Sequence, residues 1–113
     1  MELSVSSRSH GDHAIVTPVG EIDLYTAPRL HSELAAVVAG VAPASRVTVD
    51  MSGVDFCDST GMNVLLTSLR LATEKGAEFA LAAPRPAVQK ILHVTGLDSV
   101  FTIVDDPAPV PGK

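Results

Sequence analysis

Two hydrophobic periods take turns along this chain, and their order leaves few folds open. Residues 2–8 and 13–19 alternate with the two-residue period of strands, on either side of the turn-forming Ser9-His10-Gly11-Asp12. Strands this close in sequence predict an antiparallel hairpin. Gly20-Glu21-Ile22-Asp23 reads as a break in that run. Thr26 then reads as the cap of a helix over residues 27–40, with Pro28 tolerated in its first turn. Leu30, Leu34, Val37, Val38 and Val41 recur at helical spacing, and Gly40 and Pro43 stop the pattern. Val47, Val49 and Met51 alternate as a second kind of strand would.

A helix is expected over 60–74, with Met62, Leu65, Leu66, Leu69 and Ala72 on one stripe and Gly76 beyond its end. A short buried strand follows over 78–83, then a helix over 86–94 with Val88, Ile91 and Leu92 inward, then a last strand over 100–104. After the first strand the order is βαβαβαβ. Strand–helix–strand units put parallel strands side by side through right-handed crossovers. The expected fold is therefore α/β: a mixed, mostly parallel sheet with an N-terminal antiparallel hairpin, its helices covering the sheet.

At 113 residues the chain fills one domain with a modest core, placed at residues 1–104. Residues 105–113 hold three prolines and read as an extended or disordered tail. An apolar fraction of 46% fits a folded globule. Net charge is −5 with no run of Lys or Arg, which argues against nucleic acid as a direct partner. The single cysteine, Cys57, allows no internal disulfide and suits a cytoplasmic setting. A polar N-terminus predicts no secretory leader, and no apolar run is long enough to predict a membrane span.

Enzyme signatures are missing. The sequence has no Gly-rich phosphate loop, no Cys/His metal spacing and no Gly-x-Ser-x-Gly elbow. His10, His13, His31 and His93 are scattered over different elements and read as surface or boundary residues. Asp23, Asp55 and Asp58 would in principle converge as a carboxylate cluster, but carboxylates near turns are usually caps, and no base or nucleophile accompanies them. A helix start would activate the Cys57 thiol. Packing is the preferred reading, because Phe56-Cys57 continues an apolar stretch. No catalysis, cofactor or metal is expected.

What stands out is residues 54–66, where an apolar strand-like stretch meets a helical pattern through Asp58, Ser59, Thr60 and Gly61. A helix N-terminus carries unpartnered N–H groups and a partial positive charge. Asp58 or Ser59 would cap it, while a phosphate there would be well placed electrostatically. The pattern alone leaves cap and switch both open.

Three ordered blocks carry a resemblance that spans residues 3–104. They are Gly20-Glu21-Ile22-Asp23 with Thr26-Ala27 and the Leu30/Leu34 helix; Val54-Asp55-Phe56-Cys57-Asp58-Ser59-Thr60-Gly61-Met62; and Pro86-Ala87-Val88-Gln89-Lys90-Ile91-Leu92 with Thr95-Gly96-Leu97. Together they resemble the anti-sigma-factor antagonists, small bacterial proteins built from one STAS domain. The resemblance implies a STAS-like fold and a noncatalytic regulator. It implies that Ser59 is phosphorylated by an anti-sigma factor, an ATP-dependent serine kinase of the histidine-kinase-like ATPase type. The unphosphorylated form would bind that factor and release sigma factor. Phosphorylation would break the complex, and a serine phosphatase would restore it.

The partner surface so implied comprises Asp23, Thr26, Asp58, Ser59, Thr60, Gly61, Met62 and Asn63. Met62 suits an adaptable contact or a core position equally. Asn63 departs from the glycine that the family often carries there. The alternative is a STAS-type module that binds a protein or ligand in a transport or stress-signalling assembly without a phosphorylation cycle.

Overall fold

The computed structural model describes residues 2–107. Strands β1 (Leu3–His10) and β2 (His13–Ile22) form the expected hairpin, joined through Gly11-Asp12 alone. β2 does not break at Gly20. It runs on to Ile22 through a register shift between Gly20 and Glu21. Gly20 sits at φ +125°, where L side chains are rarely found, and a Cβ there would overlap the Glu2 carbonyl oxygen. The glycine that read as a stop is a bulge inside a continuing strand.

That bulge lets β2 serve two parallel neighbours in succession. Residues His13 to Val16 pair with β3 (Arg46–Asp50), and beyond the bulge Glu21 and Ile22 pair with β4 (Val54–Cys57). The sequence did not reveal β4 as a separate strand, because Val54 and Cys57 are buried while Asp55 and Phe56 between them are exposed. That pattern has no two-residue period.

β5 (Glu78–Ala82) and β6 (Thr102–Val104) complete a mixed six-stranded sheet in the order β1-β2-β3-β5-β6, with β4 beside β2. All pairings except β1–β2 are parallel. β6 starts at Thr102 and not at 100, since Leu97–Ser99 forms a 3₁₀ turn whose Leu97 carbonyl accepts from the Val100 and Phe101 N–H groups.

Three helices supply the remaining apolar surface. α1 (Ala27–Gly40) buries Ala27, Leu30, Leu34 and Val38, with Val37 and Val41 at the margin. α2 (Ser59–Glu74) buries Gly61, Met62, Leu65, Ser68 and Ala72, while Leu66 and Leu69 are only partly covered. Ser68 is accommodated because its hydroxyl donates to the Val64 carbonyl at 3.0 Å. α3 (Pro86–Val94) buries Val88 and Leu92, with Ile91 at the edge. They close over Val16, Ile22, Val47, Val49, Met51, Val54, Cys57 and Leu81 of the sheet and its loops. Each fully buried Val, Leu or Ile contributes about 1.5–3 kcal/mol relative to exposure.

No helix among the described residues is long and apolar enough to cross a membrane. The expected tail begins within the described residues at Asp105, and its positions 108–113 lie outside them.

Candidate functional site

β2 and β4 run parallel and end level, tied by the Asp58 N–H donating to the Ile22 carbonyl at 3.1 Å. The segments that lead into α1 and α2 therefore leave the same end of the sheet side by side. This brings the two sequence blocks around Asp23 and Ser59 together.

Asp58 takes an extended backbone at the N-cap of α2, and its Oδ1 accepts from the Gly61 N–H at 3.1 Å. The Met62 N–H donates to the Asp58 carbonyl at 3.0 Å. The Asp58 side chain thus satisfies one of the four N–H groups that a helix start leaves open, while its carbonyl takes the first bond of the helix. The question of which side chain caps α2 is resolved in favour of Asp58. Ser59 is the first helical residue, is exposed, and its hydroxyl has no hydrogen-bond partner among the described residues.

Gly61 makes this placement possible. A Cβ at that position would lie 2.6 Å from both Cys57 Sγ and Ile22 Cγ2, so only glycine lets the first turn of α2 rest directly on β2 and β4. Met62, 4% exposed, is a core residue. Thr60 is half-buried and Asn63 exposed.

The loop before α1 is wired differently from the sequence expectation. Thr26 occupies the N-cap position of α1, but its side chain makes no cap hydrogen bond. Its hydroxyl donates to the Glu21 carbonyl at 2.8 Å and accepts from the Asp23 N–H at 2.9 Å. Asp23 Oδ1 accepts from the Tyr25 and Thr26 N–H groups at 2.9 and 3.0 Å. The hydroxyl is consumed in closing this turn, which is why it is not spent on the helix. The Thr26 N–H, more than any other group, holds the Asp23 carboxyl below its ordinary pKa, with the Tyr25 N–H and Thr26 hydroxyl adding to it and desolvation opposing. Asp23 is buried, 8% exposed, and it braces the loop. The residues this turn presents to solvent are Leu24, 63% exposed, and Tyr25, 85% exposed. Neither stands out in the sequence, because large apolar residues beside a helix start ordinarily signal burial.

The three aspartates do not converge. Asp23 closes a turn, Asp58 caps a helix, and Asp55 pairs with Arg85 Nη1 at 2.6 Å while Arg85 Nε donates to the Ser52 carbonyl. No group of His, Cys, Asp and Glu among the described residues is arranged to hold a metal. Cys57 is fully buried, and burial, followed by the charge of Asp58, pushes its thiol up to about 12. A thiol so protonated is packing. His10, His31 and His93 are exposed, and the half-buried His13 places Nε2 at 2.8 Å from Thr48 Oγ1. The histidines are surface and boundary residues, as expected.

A domain with an antiparallel hairpin opening a parallel sheet, and a bare serine at the helix start beside an Asp-braced loop, defines a recognisable class. The chain belongs to the STAS domain family, whose model matches residues 4–108. It is 30% identical over 102 residues to the anti-sigma-F factor antagonist RsfB of Mycobacterium tuberculosis, covering 89% of this chain and 80% of that one. It is 26% identical to the anti-sigma F factor antagonist of Paenibacillus polymyxa, over 94% of this chain and 90% of the relative. Its fold matches the crystal structure of an anti-sigma factor antagonist from Mycobacterium paratuberculosis with a TM-score of 0.82 at 29% identity, covering 93% and 87% of the two chains.

Proposed function

We propose that this chain is an anti-sigma-factor antagonist switched by phosphorylation of Ser59. One observation carries the reading: capping and presentation are divided between neighbours, Asp58 holding the helix and Ser59 offering an unbonded, exposed hydroxyl on a rigid turn. A serine that capped α2 would lose stabilising bonds on modification. This one loses none.

A phosphate on Ser59 adds about −1.5 to −2 charge units. It would sit at the positive end of α2, where the Ser59 and Thr60 N–H groups have no partner among the described residues. The folded domain therefore tolerates the dianion, and the neighbouring Asp58 keeps the site from being over-stabilised by like-charge repulsion. At a protein interface the balance reverses. A packed partner surface has to desolvate the dianion or clash with it, and each 1.4 kcal/mol lost is about tenfold in affinity.

The partner in this reading is an anti-sigma factor that is also an ATP-dependent serine kinase. Unphosphorylated chain binds it and releases sigma factor, phosphorylated chain does not, and a serine phosphatase resets the cycle in the cytoplasm. Asp23, Thr26, Asp58, Thr60, Gly61 and Met62 shape this surface mainly by holding its backbone, whereas Ser59 and Asn63 meet the partner directly. The chain itself catalyses nothing.

Titration of the purified chain against an ATPase-type anti-sigma factor from its own cell tests the reading. Wild type and Ser59→Ala should bind alike, and Ser59→Asp at least about tenfold more weakly. Equal binding of all three would contradict it.

A further inference from the structure

Two large apolar side chains on the loop beside the Ser59 turn are among the most exposed in the described residues. Leu24 and Tyr25 follow the end of β2, and both project from the Asp23–Thr26 turn. A soluble domain ordinarily covers such residues, and a floppy loop would let them fold back on the sheet. Here the backbone is fixed from within. Asp23 Oδ1 holds the Tyr25 and Thr26 N–H groups, Thr26 Oγ1 holds the Glu21 carbonyl, and the Ala27 N–H donates to the Asp23 carbonyl at 2.8 Å. With the Asp23 N–H donating to Thr26 Oγ1, five hydrogen bonds at 2.8 to 3.0 Å brace a four-residue turn whose two middle side chains touch water.

We infer that Leu24 and Tyr25 are the apolar anchor of the partner interface, inserting into an apolar pocket of the anti-sigma factor while Ser59 faces its nucleotide site. The inference rests on the switch reading and adds to it the source of affinity. Reach decides whether one partner would cover both features. Three residues separate Ile22 from Tyr25, at most about 11 Å of chain. Ile22 and Asp58 lie about 5 Å apart across adjacent strands, and Ser59 is about 4 Å further on. Tyr25 is therefore within about 20 Å of Ser59, and a standard interface of about 800 Å² per partner is about 32 Å across. One partner with an ordinary footprint is therefore wide enough to cover both Ser59 and the turn.

The chemistry suits the role. Tyr is over-represented among residues that dominate binding energy, and it loses little conformational freedom on immobilisation. A braced turn removes the further cost of ordering a loop. Ser59 by contrast is small, and its hydroxyl offers little contact area. Affinity and switching thereby reside in different side chains: the anchor makes the complex tight, and the charge on Ser59 makes it conditional.

The experiment is a titration of full-length chain, as wild type, Leu24→Ala, Tyr25→Ala, Tyr25→Phe and Ser59→Asp, against a purified ATPase-type anti-sigma factor from the same cell with bound ADP. Each variant's thermal midpoint is recorded alongside. Tyr25→Ala is expected to weaken binding about thirtyfold or more, Leu24→Ala to weaken it severalfold, and Tyr25→Phe to retain most of the affinity. All three should melt with wild type, because the removed groups are solvent-exposed. Weakened binding by Ser59→Asp with undiminished binding by Tyr25→Ala and Leu24→Ala would overturn the anchor and leave the switch standing. Wild type and Ser59→Asp binding alike, or neither binding, would overturn the switch and the anchor with it. A Tyr25→Ala variant that bound weakly only because it melted early would be exposed by its midpoint, and Tyr25→Phe binding as weakly as Tyr25→Ala while melting normally would overturn the apolar role of the ring.

Discussion

At the scale of single residues, the site divides labour over one peptide bond. Asp58 Oδ1 bonds the Gly61 N–H, and the Ser59 hydroxyl bonds nothing among the described residues. Urea unfolding should therefore separate the two sharply. Asp58→Ala is expected to cost about 1 kcal/mol, the ordinary loss for an N-cap, and Ser59→Ala to stay within about 0.5 kcal/mol of wild type. A reversed order would move the cap to Ser59. Cys57 gives a second prediction at this scale. Its thiol is raised from 9.0 to about 12 by burial. A group raised on folding contributes stability that is complete below its unfolded value and lost as pH climbs, so this contribution should decline between pH 9.0 and about 12. Thiol reagents at pH near 8 should label the protein in denaturant at once and the native protein only at the rate of opening. Fast native labelling would show an accessible thiolate and reopen nucleophilic chemistry. Asp23 runs in the opposite direction: held below its ordinary 3.8 chiefly by the Thr26 N–H, it stabilises the turn above that pH and stops doing so in stronger acid.

At the scale of elements, two glycines decide how the site is assembled. Gly20 lets β2 bend from β3 to β4, and Gly61 lets α2 sit on Ile22 and Cys57. Gly61→Ala gains at most about 1 kcal/mol of helix propensity. Against it stand two contacts at 2.6 Å in a packed core, and overpacking of that kind costs typically about 1–3 kcal/mol. The variant should be less stable than wild type, with α2 displaced. Equal or higher stability would mean the core beneath α2 is loose. Gly20→Ala should be at least as damaging, since the backbone conformation alone costs on the order of 1–3 kcal/mol for an L side chain.

These positions also show what the sequence exposed and what it hid. α1, α2 and α3 were legible because Leu30/Leu34/Val38, Met62/Leu65/Ala72 and Val88/Leu92 keep helical spacing. β4 was hidden because Asp55 and Phe56 are both exposed, and the passage of β2 through Gly20 because a bulge has no pattern of its own. Ser59 and Asp58 announced themselves as cap chemistry. Leu24 and Tyr25 did not, because their exposure is produced by hydrogen bonds made to backbone groups, which no side-chain pattern records.

At the scale of the whole molecule, modification of Ser59 should alter what the domain binds and not whether it folds. Nothing in the core depends on the Ser59 hydroxyl, and a negative group at the start of α2 contributes about 0.3–1 kcal/mol in its favour. Ser59→Asp should therefore melt at or slightly above the wild-type temperature, with an unchanged circular dichroism spectrum. A large drop would make the switch one of unfolding. The claim that matters most is the identity of the acceptor, and it is read by mass spectrometry after the full chain is incubated with ATP and an ATPase-type anti-sigma factor from its own cell. One phosphate is expected, on Ser59, and none on the Ser59→Ala variant. A phosphate on Thr60 or elsewhere, or none on the wild-type chain in its complex with that factor, would contradict it.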